Sequence, residues 1–231
     1  TPRQVRVLRR ADEGDTEAYF TLAEEVEERD GHYRSVLSTR KLGVAGADAI
    51  VEAASDGARD QRVADVVRES IVGQPWFEDL VLDALDALAK GVSILELAWE
   101  TSASSWTPIG ATWRDPRWFV WDRDTWTKPL LPTEANPTGE PLPPFKYLVH
   151  APKLKSGLPI RGGLARTAVA GIMLKSYTLR DWSAFIETFG MPLRLGRYDK
   201  GATDEERDAL LAAVMNIGSD AAAIVPDSMK I

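Results

Sequence analysis

The 231-residue sequence contains no cysteine and only two histidines, His32 and His150. Without cysteine, the chain has no disulfide, no thiolate metal site and no thiol nucleophile. No HExxH motif and no paired-histidine spacing occurs, so a transition-metal site has few ligands available. We therefore expect no metal and no cofactor.

Long hydrophobic runs are also missing. No stretch of about 18 apolar residues occurs, which predicts no membrane span. The first residues lack the charged, apolar and small-residue segments of a signal peptide. Apolar residues make up 44% of the chain and charged residues 27%. These values are ordinary for a globular protein and exclude a wholly disordered one.

Catalytic and ligand-binding motifs are incomplete wherever they begin. Asp122 and Asp124 start like a calcium loop, but the glycine and the distal glutamate are missing, so we interpret them as turn residues. The segment from Gly157 to Gly163 has the glycine spacing of a phosphate loop, yet Gly163 replaces the lysine and Pro159 removes an amide donor. No GxSxG elbow presents a serine nucleophile. The sequence therefore predicts no catalytic residue and no enzyme.

The net charge of −7 is unevenly distributed. Residues 1–100 carry 12 Lys/Arg against 21 Asp/Glu, whereas residues 150–200 carry 9 against 3. A basic middle fits either a surface facing a polyanion or a solvated basic face. At about 100° per residue, Arg161 and Lys175 point one way around a helix and Arg166 and Arg180 another. The spacing therefore does not support one continuous DNA-binding stripe.

Helical periodicity dominates residues 1–90. A short basic helix is predicted from Pro2 to Arg10, and caps at Asp15 and Asp30 predict two further helices. Two more are predicted from about Asp60 to Val72 and from Pro75 to Lys90. The residues expected to face inward on the second, fourth and fifth helices are Tyr19, Leu22, Ala23 and Val26; Val63, Val66, Val67 and Ile71; and Phe77, Leu80, Val81, Ala84, Leu85 and Leu88.

Alternation with a period of two then predicts strands at Val92–Trp99, Arg117–Asp122 and Phe145–His150. Six of the eight tryptophans lie between Trp99 and Trp126, and seven of the fourteen prolines between Pro129 and Pro152. The proline density favours an extended segment with edge strands. The tryptophans fit a stacking platform for sugars or bases, the core of a small sheet, or a subunit contact, and the sequence leaves these three open.

The last third contains a long predicted helix, Gly163–Phe189. Two adjoining apolar rows run along it, one through Leu164, Ala168 and Ile172 and one through Val169, Met173 and Tyr177. A strand at Met191–Tyr198, a capping box opening a helix at Thr203–Glu206, and a strand at Ala221–Val225 follow. Together these patterns predict an α+β fold.

These segments together resemble the Mu-like portal proteins of tailed phages. The resemblance is carried by Leu22–Asp30 with Arg40-Lys41-Leu42, by Gly91–Trp99, by Asp115–Phe119, by Pro144–Tyr147 and by Gly157 through Pro192. It runs over nearly the whole chain, although members of the family are longer and continue at both ends. Residues 1 and 231 therefore resemble the edges of a fragment.

The resemblance implies a structural ring of usually twelve subunits at one capsid vertex, through which double-stranded DNA is packaged and ejected. The implied partners are other copies of the chain, the DNA, terminase, and capsid and head–tail adaptor proteins. The implied location is the virion, with host cytoplasm during assembly. In the portal fold, residues 1–100 would form a helical wing, 101–152 wing or clip strands, 153–190 a stem helix, and 191–231 a return to the wing.

In such a ring we expect two sets of functional residues on and before the long helix. The expected DNA-facing residues are Arg161, Arg166, Lys175 and Arg180, and the expected subunit contacts are Ile172, Tyr177, Trp182 and Phe185. Two alternative functions remain open from the sequence. One is a fragment of a nucleic-acid-processing enzyme, and the other is a carbohydrate- or partner-binding module built on the tryptophans.

Overall fold

The computed structural model describes residues 2–103, 105–190, 194–216 and 222–226. Its helices are α1 (Pro2–Asp12), α2 (Glu17–Arg29), α3 (Gly31–Ala45), α4 (Ala58–Val67), α5 (Trp76–Ala84), α6 (Ala87–Lys90), α7 (Ala165–Phe189) and α8 (Asp204–Asn216). Its strands are β1 (Ser93–Thr101), β2 (Trp106–Arg114), β3 (Val120–Trp121), β4 (Pro129–Leu131), β5 (Glu140–Pro141), β6 (Tyr147–His150), β7 (Arg194–Tyr198) and β8 (Ala222–Pro226).

The strands form small separate sheets. Two antiparallel sheets have the orders β2-β1-β6 and β3-β4-β5, and β7 pairs with β8 in parallel across the α8 connection. The predicted α+β class is therefore confirmed. The chain divides into two compact units, Thr1–Met173 and Leu174–Ile231, and the division falls within α7.

The core of the first unit draws together segments far apart in sequence. Its buried members are Ala11, Tyr19, Phe20, Val92, Ile94, Phe119, Trp121 and Ile160. Burying each large apolar side chain contributes about 1.5–3 kcal/mol. The core therefore ties α1 and α2 to β1, to β3 and to the turn before α7.

Two predicted caps have different outcomes. Asp30 caps α3 as predicted, since its carboxylate accepts a 2.8 Å hydrogen bond from the Tyr33 amide. The prediction that Asp15 caps α2 is wrong by one residue, because Thr16 occupies that position. The Asp15 carboxylate instead pairs with Arg10. Thr16 Oγ1 accepts a 3.0 Å hydrogen bond from the Trp121 indole, which joins the start of α2 to β3.

The inward face predicted for the fourth helix is largely wrong. Val63 and Val66 are 57% and 61% exposed, whereas Ala64 is 4% exposed. The small alanine side chain lets the helix backbone approach its neighbours, and sequence periodicity gives little weight to so small a residue. Arg68 follows α4 and donates hydrogen bonds to Val51 O, which fixes this segment through the backbone.

The single helix predicted from Pro75 to Lys90 is wrong, because the chain breaks it into α5 and α6. Leu85 ends α5 with φ −70° and ψ −5°, and Asp86 begins the next turn. The Ser93 hydroxyl donates a 2.7 Å hydrogen bond to Asp83 O, one of the carbonyls near the break. Gly91 closes α6 as predicted with φ +91°, and a Cβ there would lie 2.4 Å from Pro159 O.

The strand predictions are confirmed in part. β1 and β6 are found, but the expected strand from Arg117 to Asp122 is reduced to Val120–Trp121, because Pro116–Trp118 forms a 3-10 turn. Strand β2 was not predicted. It contains Pro108 opposite a bulge in β1, and proline is tolerated there because β2 is an edge strand.

The C-terminal predictions are confirmed where the structure describes them. Helix α7 has 25 residues. The capping box is formed, with the Thr203 amide donating to Glu206 Oε2 at 2.9 Å and the Glu206 amide donating to Thr203 Oγ1 at 3.3 Å. Thr1, Met191–Leu193 and residues 217–221 lie outside the described residues.

Candidate functional surfaces

An ionic network lies where α2, α3, α6 and β2 meet in the first unit. Lys90 has only 3% of its side chain exposed, and its Nζ lies 2.5 Å from both Glu24 and Asp86. Asp86 also lies 3.6 Å from Lys41 Nζ and accepts a 3.2 Å hydrogen bond from the Trp113 indole. Burial lowers the pKa of Lys90, but the pairing with Asp86 and Glu24 outweighs burial and raises it. Lys90 is therefore charged and paired at neutral pH.

The sequence analysis missed this network. The spacing of Asp86 and Lys90 is a local signal for a salt bridge. The other carboxylate, Glu24, and the second cation, Lys41, come from different helices and carry no local signal.

A cavity of about 440 Å³ opens beside the network. Four carboxylates line it against two ammonium groups: Glu24, Glu27, Asp83 and Asp86 against Lys41 and Lys90. The pKa of Asp83 is raised, first by burial and then by the neighbouring carboxylates of Asp79 and Asp86. The cavity therefore carries excess negative charge that the lysines do not balance.

Arg166, one of the expected DNA contacts, has its charge engaged within the first unit. Its Nη1 lies 3.0 Å from Asp12 Oδ1, and its guanidinium lies 5.5 Å from the centre of the Tyr19 ring. The Tyr19 hydroxyl in turn donates a 3.0 Å hydrogen bond to Lys90 O. Only 14% of the Arg166 side chain is exposed, which leaves little of it for a DNA phosphate.

The other expected DNA contacts are exposed but separate. Arg161 precedes α7 in the first unit and lies 3.9 Å from Asp12. Lys175 and Arg180 are exposed on α7 in the second unit, where the Arg180 guanidinium lies 5.5 Å from the Tyr177 ring centre. Their contact with DNA remains a prediction.

Three of the four expected subunit contacts are exposed. Tyr177, Trp182 and Phe185 are 41%, 60% and 57% exposed, and Ile172 is half-buried. Further exposed apolar side chains on the same part of α7 are Leu174, Leu179, Ile186 and Phe189. We call the exposed apolar residues from Leu174 to Phe189 the α7 apolar face.

The tryptophan cluster does not act as one unit. Trp121 is a core residue, Trp113 belongs to the ionic network, and the Trp99 indole donates a 2.7 Å hydrogen bond to Phe145 O. Trp106 and Trp118 are 66% and 59% exposed. The small-sheet core interpretation therefore holds for part of the cluster, and no single stacking platform is formed.

Asp122 is a turn residue, as predicted. Its carboxylate accepts hydrogen bonds from the amides of Thr125, Thr127 and Lys128. The Thr125 hydroxyl bond, reinforced by these amides, lowers the pKa of Asp122 to about 2. Among the described residues, no group of three His, Cys, Asp or Glu side chains is placed to hold a metal ion. None of the described helices has the length and apolar character needed to cross a membrane.

Comparison with known proteins defines the class to which the chain belongs. A family model described as the portal protein of Mu bacteriophage matches residues 20–231. The chain therefore belongs to the Mu portal protein family, and the predicted resemblance is confirmed.

Two particular relatives are similar along almost the whole chain. The Mu-like prophage FluMu protein gp29 of Haemophilus influenzae is 36% identical over 235 residues, and the portal protein of Escherichia phage Mu is 35% identical over 230 residues. Each alignment covers 99% of this chain but only 44% and 45% of the relatives. The chain thus spans about half the length of these proteins.

Proposed function

We propose that this chain is part of a structural portal, a ring at one capsid vertex through which double-stranded DNA is packaged and later ejected. The family match over residues 20–231 carries the proposal, and the relative from phage Mu is named a portal protein. The proposed assembly is a ring of twelve copies, in contact with terminase, capsid and head–tail adaptor proteins. Its proposed location is the portal vertex of the virion, after assembly in the host cytoplasm.

Within this ring, we assign residues 1–100 to the wing, 101–152 to wing or clip strands, 153–190 to the stem and 191–231 to the return into the wing. The α7 apolar face supports a subunit interface, because large exposed apolar patches mark association sites. In a cyclic ring, a head-to-tail contact can bury this face against the next copy.

The proposed DNA contacts are rings of Arg161, Lys175 and Arg180 repeated by symmetry. Each phosphate that a cation neutralises adds to affinity. A few cations per copy in a chain of net charge −7 favour passage of DNA over tight binding.

The experiment is electron microscopy with light scattering of the full protein and two matched pairs of substitutions. Trp182→Asp with Phe185→Asp places two charges on the α7 apolar face, and Ser183→Asp with Ala184→Asp places two charges on the other side of the same helix. We expect the first pair to abolish rings while the subunit stays folded, and the control pair to keep them. Intact rings with the first pair would refute this interface, and a monomeric unmodified protein would refute the ring itself.

The portal family is structural, and we propose that the chain performs no hydrolysis. Assays of ATP turnover and DNA cleavage on the purified protein should therefore show no activity above background. Activity that co-purifies with the chain and disappears when one of its carboxylates is replaced would favour the nucleic-acid-processing enzyme instead.

A further inference from the structure

Helix α1 presents a row of arginines that have no partner in the chain. Arg3, Arg6 and Arg9 are exposed and recur every third residue, so they lie along one side of the helix. Among the described residues, none of the three guanidinium groups forms an ion pair. Val5 lies beside them and is 49% exposed. We call these four residues the α1 arginine face.

The same unit has an acidic surface that suits this face. The cavity beside the ionic network holds four carboxylates against two ammonium groups, and Leu42 and Leu82 at its rim are 62% and 38% exposed. Asp79 and Asp83 stand four residues apart on α5, which places two like charges together on one side of the helix. We call the cavity with Asp79 the acidic groove.

The repulsion in this groove is visible at Asp83. Its pKa is raised by burial and by the carboxylates of Asp79 and Asp86, so the isolated chain keeps negative charges that the local lysines do not relieve. A guanidinium from outside would relieve that repulsion, and an apolar side chain would cover the leucine rim.

The two surfaces cannot meet within one copy. Helix α1 is fixed by Ala11, which is fully buried, and by the Asp12–Arg166 pair at 3.0 Å. Its arginine face is therefore turned outward while its opposite side is held in the core.

We propose that the α1 arginine face of one copy docks into the acidic groove of a second copy. Such a contact joins two different surfaces, so it propagates head to tail and can close into a ring. It rests on the proposed ring and adds a charge-based interface to the apolar one on α7.

The charge distribution favours a second copy over DNA as the occupant. Helix α1 carries four arginines and one aspartate, whereas residues 13–100 carry 8 Lys/Arg against 20 Asp/Glu. A polyanion approaching α1 meets this acidic surround, but a second copy presents acidic groups at the contact itself.

The test is a charge swap in the full protein, with rings measured by light scattering and electron microscopy at physiological salt. Arg6→Glu with Arg9→Glu, and separately Asp79→Arg with Asp83→Arg, should each raise the concentration needed for assembly by at least about tenfold. Combining all four substitutions should restore assembly, because the opposite charges meet again. Arg59→Glu with Arg62→Glu, two exposed residues on α4, is the matched control and should leave assembly unchanged.

The outcomes separate the two proposals. Rings that survive either reversal, or that the four-residue swap fails to restore while circular dichroism shows a folded subunit, would overturn the docking alone. Intact rings with a shallower salt dependence of DNA binding in the Arg6→Glu/Arg9→Glu variant would assign α1 to DNA and also overturn it. A monomeric unmodified protein would overturn both the docking and the ring.

Discussion

Asp86 is the side chain on which the ionic network most depends. It pairs with the almost fully buried Lys90 at 2.5 Å, lies 3.6 Å from Lys41, and accepts a hydrogen bond from Trp113. Replacing Asp86 with alanine would leave the Lys90 ammonium with Glu24 as its remaining carboxylate. The variant therefore tests whether the network stabilises the fold.

The expected loss can be bracketed from the geometry. Removing one partner of a buried ion pair costs about 3–5 kcal/mol, and a hydrogen bond to a charged group contributes about 1.5–3 kcal/mol. Because Glu24 stays 2.5 Å from Lys90, we expect Asp86→Ala to lower the free energy of unfolding by about 2–4 kcal/mol. Asp65→Ala is the control, since Asp65 pairs with Arg68 at the surface with 61% of its side chain exposed. That loss should be about 0.2–1 kcal/mol.

Urea unfolding measured by circular dichroism and tryptophan fluorescence gives both values. Trp113 is a local reporter, because the Lys90 ammonium lies 4.8 Å from its ring centre. A double-mutant cycle of Asp86→Ala with Lys90→Met should show a coupling of about 1–3 kcal/mol. Equal small losses at Asp86 and Asp65, or strictly additive effects in the cycle, would show that the network contributes nothing to stability.

Three further predictions concern charge and packing. Asp83→Asn should raise the free energy of unfolding at pH 7 by no more than about 1 kcal/mol; the raised pKa of Asp83 means that its ionisation opposes folding, so the gain should vanish at acid pH, where Asp83 is protonated. Asp122 has its pKa lowered to about 2, so its stabilising contribution is present above the unfolded-state pKa of about 4 and lost as pH falls toward 2, and melts of Asp122→Asn should lack that acid-range loss. Ile94→Ala should cost about 2–5 kcal/mol and Ile50→Ala less than about 0.5 kcal/mol, because Ile94 is fully buried and Ile50 is 81% exposed; similar urea midpoints for the two variants would contradict this core assignment.

Local features of the fold could be predicted from the sequence. The Asp30 cap, the capping box of Thr203 and Glu206, and the glycine stop at Gly91 all depend on residues within a few positions of one another. The alternation that predicted β1 and the apolar periodicity that predicted α7 are likewise local. The family resemblance was also contained in the sequence, because it depends on the order of such segments.

The candidate surfaces were only partly predictable. The exposure of Trp182 and Phe185 on α7 agrees with the contact role expected for them, although that role itself remains to be tested. Arg166 could not be separated from the other cations by sequence, because the partner that engages it, Asp12, lies 154 residues away. Nor did periodicity single out the arginines of α1, since their lack of a partner is a property of the folded surface.

By itself the sequence determined the family, the α+β class and most helix and strand positions, because each depends on short-range periodicity and capping. Only the tertiary structure decided the break at Leu85, the outward turn of Val63 and Val66, and the burial of Lys90 between Asp86 and Glu24. The Trp121 indole finds its acceptor on Thr16, 105 residues earlier. Such choices follow from which distant groups satisfy a buried charge or donor, and only the folded chain brings those groups within hydrogen-bonding distance.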